Sequence, residues 1–249
     1  MKILIANPNT STGVTERLVA SGALVASPGT ELLPMTAPRG VPYIATRAEA
    51  AIGAAVMLEM LAEKRGTFDA AICAAFGDPG LGGARELFDF PIVGMAEAAM
   101  LVACTLGRSF SIVSFSKSLE PWFAEIVAWH GLSGRCAAIR MLDGTFKSID
   151  EVQEEKEQLL IDLANRTVAE NGADVVILAG APLAGLANKI ADRVPVPLVD
   201  GIQAAVAMAE GLVRINPRKA TAGTFKRPPA KDSKGLAGPL ANVIGHRDS

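Results

Sequence analysis

The sequence predicts an α/β protein of two pseudo-symmetric, Rossmann-like lobes with parallel sheets and an active-site cleft between them. Two observations carry this. Short apolar runs alternate with segments of helical periodicity, the pattern of parallel βαβ units. Three blocks also recur at offsets of 105 to 107 positions. Ile3-Leu-Ile-Ala-Asn-Pro-Asn-Thr-Ser11 resembles Phe110-Ser-Ile-Val-Ser-Phe-Ser-Lys-Ser118, and Asp69-Ala-Ala-Ile-Cys-Ala-Ala-Phe-Gly77 resembles Asp174-Val-Val-Ile-Leu-Ala-Gly-Ala-Pro182. Pro91-Ile-Val-Gly-Met-Ala-Glu-Ala-Ala99 matches Pro197-Leu-Val-Asp-Gly-Ile-Gln-Ala-Ala205 at four of nine positions. A duplicated α/β unit places equivalent strand ends on opposite walls of one pocket.

The elements follow in order. Residues 3–6 form an apolar run ended by Asn-Pro, a buried strand. Ser11 or Thr12 caps a helix to about Ala20. Residues 31–35 read as a second strand, and residues 38–42 as a loop. Thr46-Arg-Ala-Glu49 is a capping box. The helix it opens carries Ile52, Val56 and Met60 on one face and ends near Lys64-Arg-Gly66. Residues 70–74 are the next strand, residues 76–80 its exit loop, and residues 84–87 a short helix. Residues 91–93 are a strand and 96–106 a helix of small residues. The second copy follows: a strand at 110–113, amphipathic helices at 119–130 and 150–171, strands at 175–179 and 198–199, and a helix at 203–213. The expected division is a first lobe at 1–105, to which the chain returns after about 206, a second at 106–205, and a closing helix with a basic tail at 206–249. The tail holds Arg218, Lys219, Lys226, Arg227, Lys231, Lys234 and Arg247 among Pro and Gly. It reads as a solvated segment or as an arm packed across the pocket or a neighbouring subunit.

Composition narrows the function. With 50% hydrophobic and 20% charged residues over 249 positions, a sizeable core is available. A net charge of −2 argues against nucleic-acid binding. There is no bilayer-length apolar run, and the N-terminal run is too short for a secretory signal. The three cysteines, Cys73, Cys104 and Cys136, lack metal-site spacing. These points lead to the expectation of a cytoplasmic protein with reduced thiols and no membrane partner. No Ser/His/Asp signature, Walker-type loop or zinc spacing is present.

The candidate residues lie where strands end. Asn7 and Thr10 follow the first strand and either bind a carboxylate or carbonyl or make a turn. Ser114 and Ser116 occupy the equivalent loop. Ala75, Phe76 and Gly77 offer backbone N–H groups to an anionic oxygen, with Gly180 and Ala181 as counterparts. Asp78 is either a cap or a base. Glu97 suits the start of a helix, where a carboxylate is favoured, or faces the pocket as a base. Cys73 is a small buried hydrophobe or a reactive thiol. His130 ends a helix and reads as a surface residue; Cys104 and Cys136 read as structural.

Asn7-Pro-Asn-Thr10, Phe76-Gly-Asp-Pro-Gly-Leu81, Gly94-Met-Ala-Glu-Ala98 and Pro197-Leu-Val-Asp-Gly201 together resemble the hydantoin racemase branch of the Asp/Glu racemase superfamily. The resemblance runs roughly from Met1 to Val213. It implies an inter-lobe active site for a small-molecule substrate, no cofactor and, commonly, a homo-oligomer. It also implies a two-thiol mechanism, in which one cysteine removes a proton and another returns one on the opposite face. The positions matching those cysteines hold Ala75 and Gly180, and the internal repeat aligns the same two residues. A racemase built on this chain would therefore need Asp78 or Glu97 as base, with Cys73 a further catalytic candidate. The alternatives are a hydrolase or decarboxylase on the same rim, using a carboxylate-activated water or a single proton donor, and a non-catalytic metabolite-binding protein. Loss of two side chains is expected to enlarge the cavity.

Overall fold

The computed structural model describes residues 1–247. It comprises two four-stranded sheets, both wholly parallel and both with the same strand order. The first contains β1 (Lys2–Asn7), β2 (Glu31–Thr36), β3 (Ala70–Cys73) and β4 (Ile92–Gly94), ordered β2-β1-β3-β4. The second contains β5 (Phe110–Ser114), β6 (Cys136–Met141), β7 (Val175–Leu178) and β8 (Leu198–Asp200), ordered β6-β5-β7-β8. The duplication extends to single hydrogen bonds. Asp69, just before β3, accepts the N–H of Lys2 at the start of β1 (2.7 Å). Its repeat partner Asp174, just before β7, accepts the N–H of Ser109 beside β5 (2.9 Å).

The connecting helices are α1 (Thr12–Ala23), α2 (Arg47–Lys64), α3 (Leu81–Leu87) and α4 (Met95–Leu106) in the first half. The second half has α5 (Glu120–Trp129), α6 (Val152–Asn171), α7 (Leu186–Lys189), α8 (Gly201–Ile215) and α9 (Gly238–Ile244). The predicted caps form. Ser11 Oγ accepts the N–H of Val14, and Thr46 and Glu49 make a reciprocal capping box.

Strand alternation divides the first lobe's core. Ile3, Ile5, Ile72 and Val93 lie on one face, in the cluster that continues into the second lobe. Leu4, Ala6, Ala71 and Cys73 lie on the other, with side chains of α2 and α3. The lobes interlock through exchanged helices. α4 leaves β4 and packs on β5, β7 and β8, whereas α8 leaves β8 and packs on β1, β3 and β4. The two helices also pack on each other. Their small residues, Ala98, Ala99 and Ala103 against Ala205 and Ala209, are buried and allow close approach.

Three elements differ from the sequence reading. β6 was not anticipated, because as an edge strand it alternates half-buried and exposed residues and includes Arg140. α7 is a single short turn of helix within the loop after β7. The tail contains α9, which begins at Gly238-Pro239 and buries Leu240 and Val243 against α2. This part of the tail is neither solvated nor laid over the cleft; it covers the outer face of the first lobe. No helix among the described residues is long and apolar enough to cross a membrane.

Candidate active site in the inter-lobe cleft

β3 and β7 deliver Ala75 and Gly180 to one cavity. Asn9, Tyr43, Ile44, Phe76, Trp122 and Phe123 are among its other walls. Its free space is about 20 Å³, room for roughly one water. A second, smaller cavity shares Phe76 and Gly180 and reaches Asp200. The expected enlargement does not occur. A Cβ at Gly180 would lie 2.9 Å from Phe115 Cε1, so Phe115 occupies the space beside Gly180. Phe76 and Phe123 pack with ring centroids 4.8 Å apart. Gly77 has φ 130°, and a Cβ there would overlap the Trp122 indole. Trp122 thus lies against the loop backbone. It also lines a wide open groove of about 520 Å³ between α2, the loop after β3, and α5. Trp122 therefore stands between the inner cavity and that groove.

The first strand's loop behaves as an Asx-turn. Asn7 Nδ2 donates to Asn9 Oδ1, Ser11 O and Thr15 Oγ1, and Asn7 Oδ1 accepts the N–H of Asn9. Its N–H donors are committed within the loop, and Asn9, not Asn7, lines the cavity. Thr10 donates its backbone N–H to Val41 O. Ser114 Oγ donates to Ala179 O (2.7 Å), tying β5 to β7 just before Gly180. Ser116 Oγ pairs with Ser118 Oγ (2.9 Å). Ala181, like Phe76, sits on the cavity wall, and Gly77 lies in the groove outside Trp122.

The acidic candidates gather elsewhere. Asp78, in the left-handed region at φ 48°, is wholly buried. It accepts the N–H groups of Ala96 and Glu97, each at 2.9 Å, and so caps α4 from a distant loop. Gly94 makes this possible, since an added Cβ there would fall within 2.5 Å of Asp78 Cγ. In the second lobe the repeat partner of Gly94 is Asp200. It caps α8 directly through Ile202 and Gln203, and it accepts from Gly185 and Ser21 as well. The lobes thus deliver a capping carboxylate to the same place from different positions.

Glu97 forms a bidentate pair with Arg85. Burial opposes its ionisation, but Arg85 outweighs that and holds the carboxyl below its usual range. His130 corrects the sequence reading. It does end α5, but its side chain is only 6% exposed, with Nε2 3.3 Å from Asp78 and Nδ1 3.7 Å from Glu97. It therefore joins the second lobe to the first. Burial pushes the Asp78 carboxyl up, against the hydrogen bonds from His130, Ala96 and Glu97. Cys73 points to the opposite face of β3 from Ile72, and its Sγ donates to Pro79 O (3.4 Å). Burial raises its thiol well above the ordinary value. Asp78, Glu97 and Cys73 are all absent from the walls of the inner cavity. Tyr43, which the sequence reading did not single out, is the one ionisable side chain on those walls. Among the described residues, no cluster of three His, Cys, Asp or Glu side chains is arranged to hold a metal ion.

Two interlocked parallel α/β lobes with equivalent strand ends facing one cavity define a duplicated α/β protein with an inter-lobe cleft. The profile of the Asp/Glu/hydantoin racemase family matches residues 3–209, and the chain belongs to that family. It is 31% identical over 233 residues to a hydantoin racemase of Paenarthrobacter aurescens, covering 93% of this chain and 99% of that one. Allantoin racemase from Klebsiella pneumoniae superposes with a TM-score of 0.90 at 32% identity, over 98% of both chains. Arylmalonate decarboxylase shares the fold alone, at 16% identity and a TM-score of 0.60, over 86% of this chain and 92% of that one.

Proposed function

We propose that the chain is a hydantoin racemase-like, cofactor-independent enzyme for a small carboxylate, hydantoin or related cyclic amide, working without a two-thiol pair. The observation that carries this is the meeting of Ala75 and Gly180, the repeat-equivalent ends of β3 and β7, across a single cavity. A carbonyl-activated carbon held there develops enolate character when it exchanges a proton or loses a carboxylate. Backbone N–H groups at Phe76 and Ala181 suit the stabilisation of that oxygen. Methyl and hydrogen exchange no protons, so the chemistry cannot be thiol-to-thiol transfer.

A one-proton reaction such as decarboxylation is the second reading. It is favoured by the presence of one ionisable side chain, Tyr43, on the cavity wall where a two-base racemase needs two. Carboxylate-activated hydrolysis has less support, because both Asp78 and Glu97 are engaged away from the cavity. The family reading also carries the expectation of a homo-oligomer, and the cysteine content that of a cytoplasmic location.

The test is proton NMR in D₂O with 5-substituted hydantoins, allantoin, amino acids and substituted malonates. Deuterium entering the acidic carbon of an intact compound supports proton exchange in the cleft. A decarboxylated product supports the second reading. Binding without turnover sinks both and leaves a metabolite-binding protein.

A further inference from the structure

Tyr43 stands in the loop between β2 and α2, on the first lobe's side of the cleft. Its ring packs on two rings of the second lobe, with centroids 5.6 Å from Phe115 and 5.8 Å from Phe146, and these are 5.4 Å from each other. The triad is contiguous with the site, since Phe115 also abuts Gly180. Its aromatic surfaces explain the packing of Tyr43 but not its oxygen. Tyr43 Oη is buried, and its polar neighbour, the Ser116 hydroxyl, is itself paired with Ser118, so the phenol keeps hydrogen-bonding capacity to spare.

A phenylalanine would fill the same space without burying a hydroxyl whose capacity is only partly met, a shortfall that costs up to about 1–3 kcal/mol. Such a group needs an explanation. Here the residue lines the cavity that Ala75 and Gly180 share. We propose that Tyr43 is the polar anchor of the inter-lobe site, its Oη donating a hydrogen bond to a carbonyl or carboxylate oxygen of the small ligand held there.

This assignment rests on the cleft being the ligand site, and it names the side chain that recognises the ligand. Burial, with Glu49 adding to it and a hydrogen bond with Ser116 only partly offsetting it, pushes the phenol above its ordinary value. The group is therefore neutral across the working pH range and can donate. It suits an oxygen on which negative charge resides or develops, and it is a poor base. The ligand class is accordingly an acceptor-rich ring or acid: the imide carbonyls of a hydantoin, or the carboxylate of a malonate. A plain hydrocarbon is excluded from this role.

The test compares wild type with Tyr43→Phe in two measurements on the full chain. The first is ligand-free thermal unfolding, where removal of a partly met hydroxyl leaves the midpoint unchanged or higher. The second is calorimetric titration with allantoin, 5-benzylhydantoin and phenylmalonate. Affinity should fall about 10-fold for a carbonyl contact and up to about 100-fold for a carboxylate contact. A lowered midpoint in the ligand-free variant overturns the proposal, because the hydroxyl would then be structural. Equal affinity for a compound that wild type binds overturns it as well, leaving the cleft reading intact. If wild type binds none of the three, the cleft reading falls and this assignment with it.

Discussion

The two lobes solve the same capping problem with carboxylates from different places, and exchanging the solutions is the sharpest test of that geometry. Consider Asp78→Ala. It leaves the Ala96 and Glu97 N–H groups at the buried start of α4 without an acceptor and strips His130 Nε2 of its partner. Hydrogen bonds to a charged group contribute about 1.5–3 kcal/mol each, so the two backbone bonds set a gross loss of about 3–6 kcal/mol. Relief of the carboxylate's own desolvation returns part of that, and a net loss of about 3 kcal/mol is expected. Gly94→Asp alone should also destabilise, because its Cβ collides with the Asp78 carboxylate and approaches Leu81.

The double variant reproduces the second lobe. Gly94 has φ −80° and ψ 137°, close to the −94° and 125° of Asp200, so an aspartate fits that backbone and can cap α4 as Asp200 caps α8. Once residue 78 is alanine, the colliding carboxylate is gone, and the remaining close contact, Leu81 Cδ2 at 2.7 Å, is the end of a flexible side chain that can turn aside. The two losses should therefore fail to add by about 2–3 kcal/mol, at the upper end for contacting pairs. Urea unfolding followed by circular dichroism measures it; with m near 3 kcal/mol/M, Asp78→Ala lowers the midpoint by about 1 M, and the double variant recovers most of it. A loss below about 1 kcal/mol for Asp78→Ala, or additive losses in the double variant, would refute the capping account. Turnover assayed in the rescued double variant then separates capping from catalysis, since a catalytic Asp78 would leave a stable but inactive protein.

Three further outcomes follow from the same structure. Despite burial, Glu210 is lowered from an ordinary 4.5 to about 2 by hydrogen bonds from Ser27 and Thr30 and by Arg214. A depressed folded value means that this stability is present above about pH 4.5 and is lost as pH falls toward 2, so Glu210→Gln should flatten the stability profile in that window. Ala75→Cys should fold normally, whereas Gly180→Cys should lose about 1–3 kcal/mol in thermal melts, because φ 115° is strained for any L side chain and Phe115 must shift. Cys73 should resist iodoacetamide in the native protein, and Cys73→Ala should keep turnover within about twofold, since a raised, buried thiol supplies little nucleophile.

Much of the fold was legible because it is written locally. Apolar runs ended by Asn-Pro or Gly-Asp-Pro fixed β1 and β3, and Thr46 with Glu49 fixed the start of α2 within four residues. Repetition revealed the second lobe and aligned Ala75 with Gly180. What stayed hidden depends on partners far apart in sequence. His130 looks like a helix end until α5 sets it against Asp78, 52 positions earlier. Tyr43 looks like a loop aromatic until Phe115 and Phe146 surround it. α9 was masked by Gly238 and Pro239, residues that suit a helix start but suggest a loop when read as composition.

The inner cavity is closely packed beside Gly180. Gly180 adopts φ 115° and ψ 131°, a conformation open to glycine and strained for cysteine. Phe115 fills the space beside Gly180, and the same ring packs on Tyr43, a residue of the cavity wall. The bare backbone at 180, the aromatic packing and Tyr43 are one connected arrangement. The inner cavity therefore has a largely aromatic wall with Tyr43 as its ionisable side chain. A cysteine introduced at 75 alone should place a thiol opposite Gly180 with no second thiol facing it, and so should not give two-sided proton exchange.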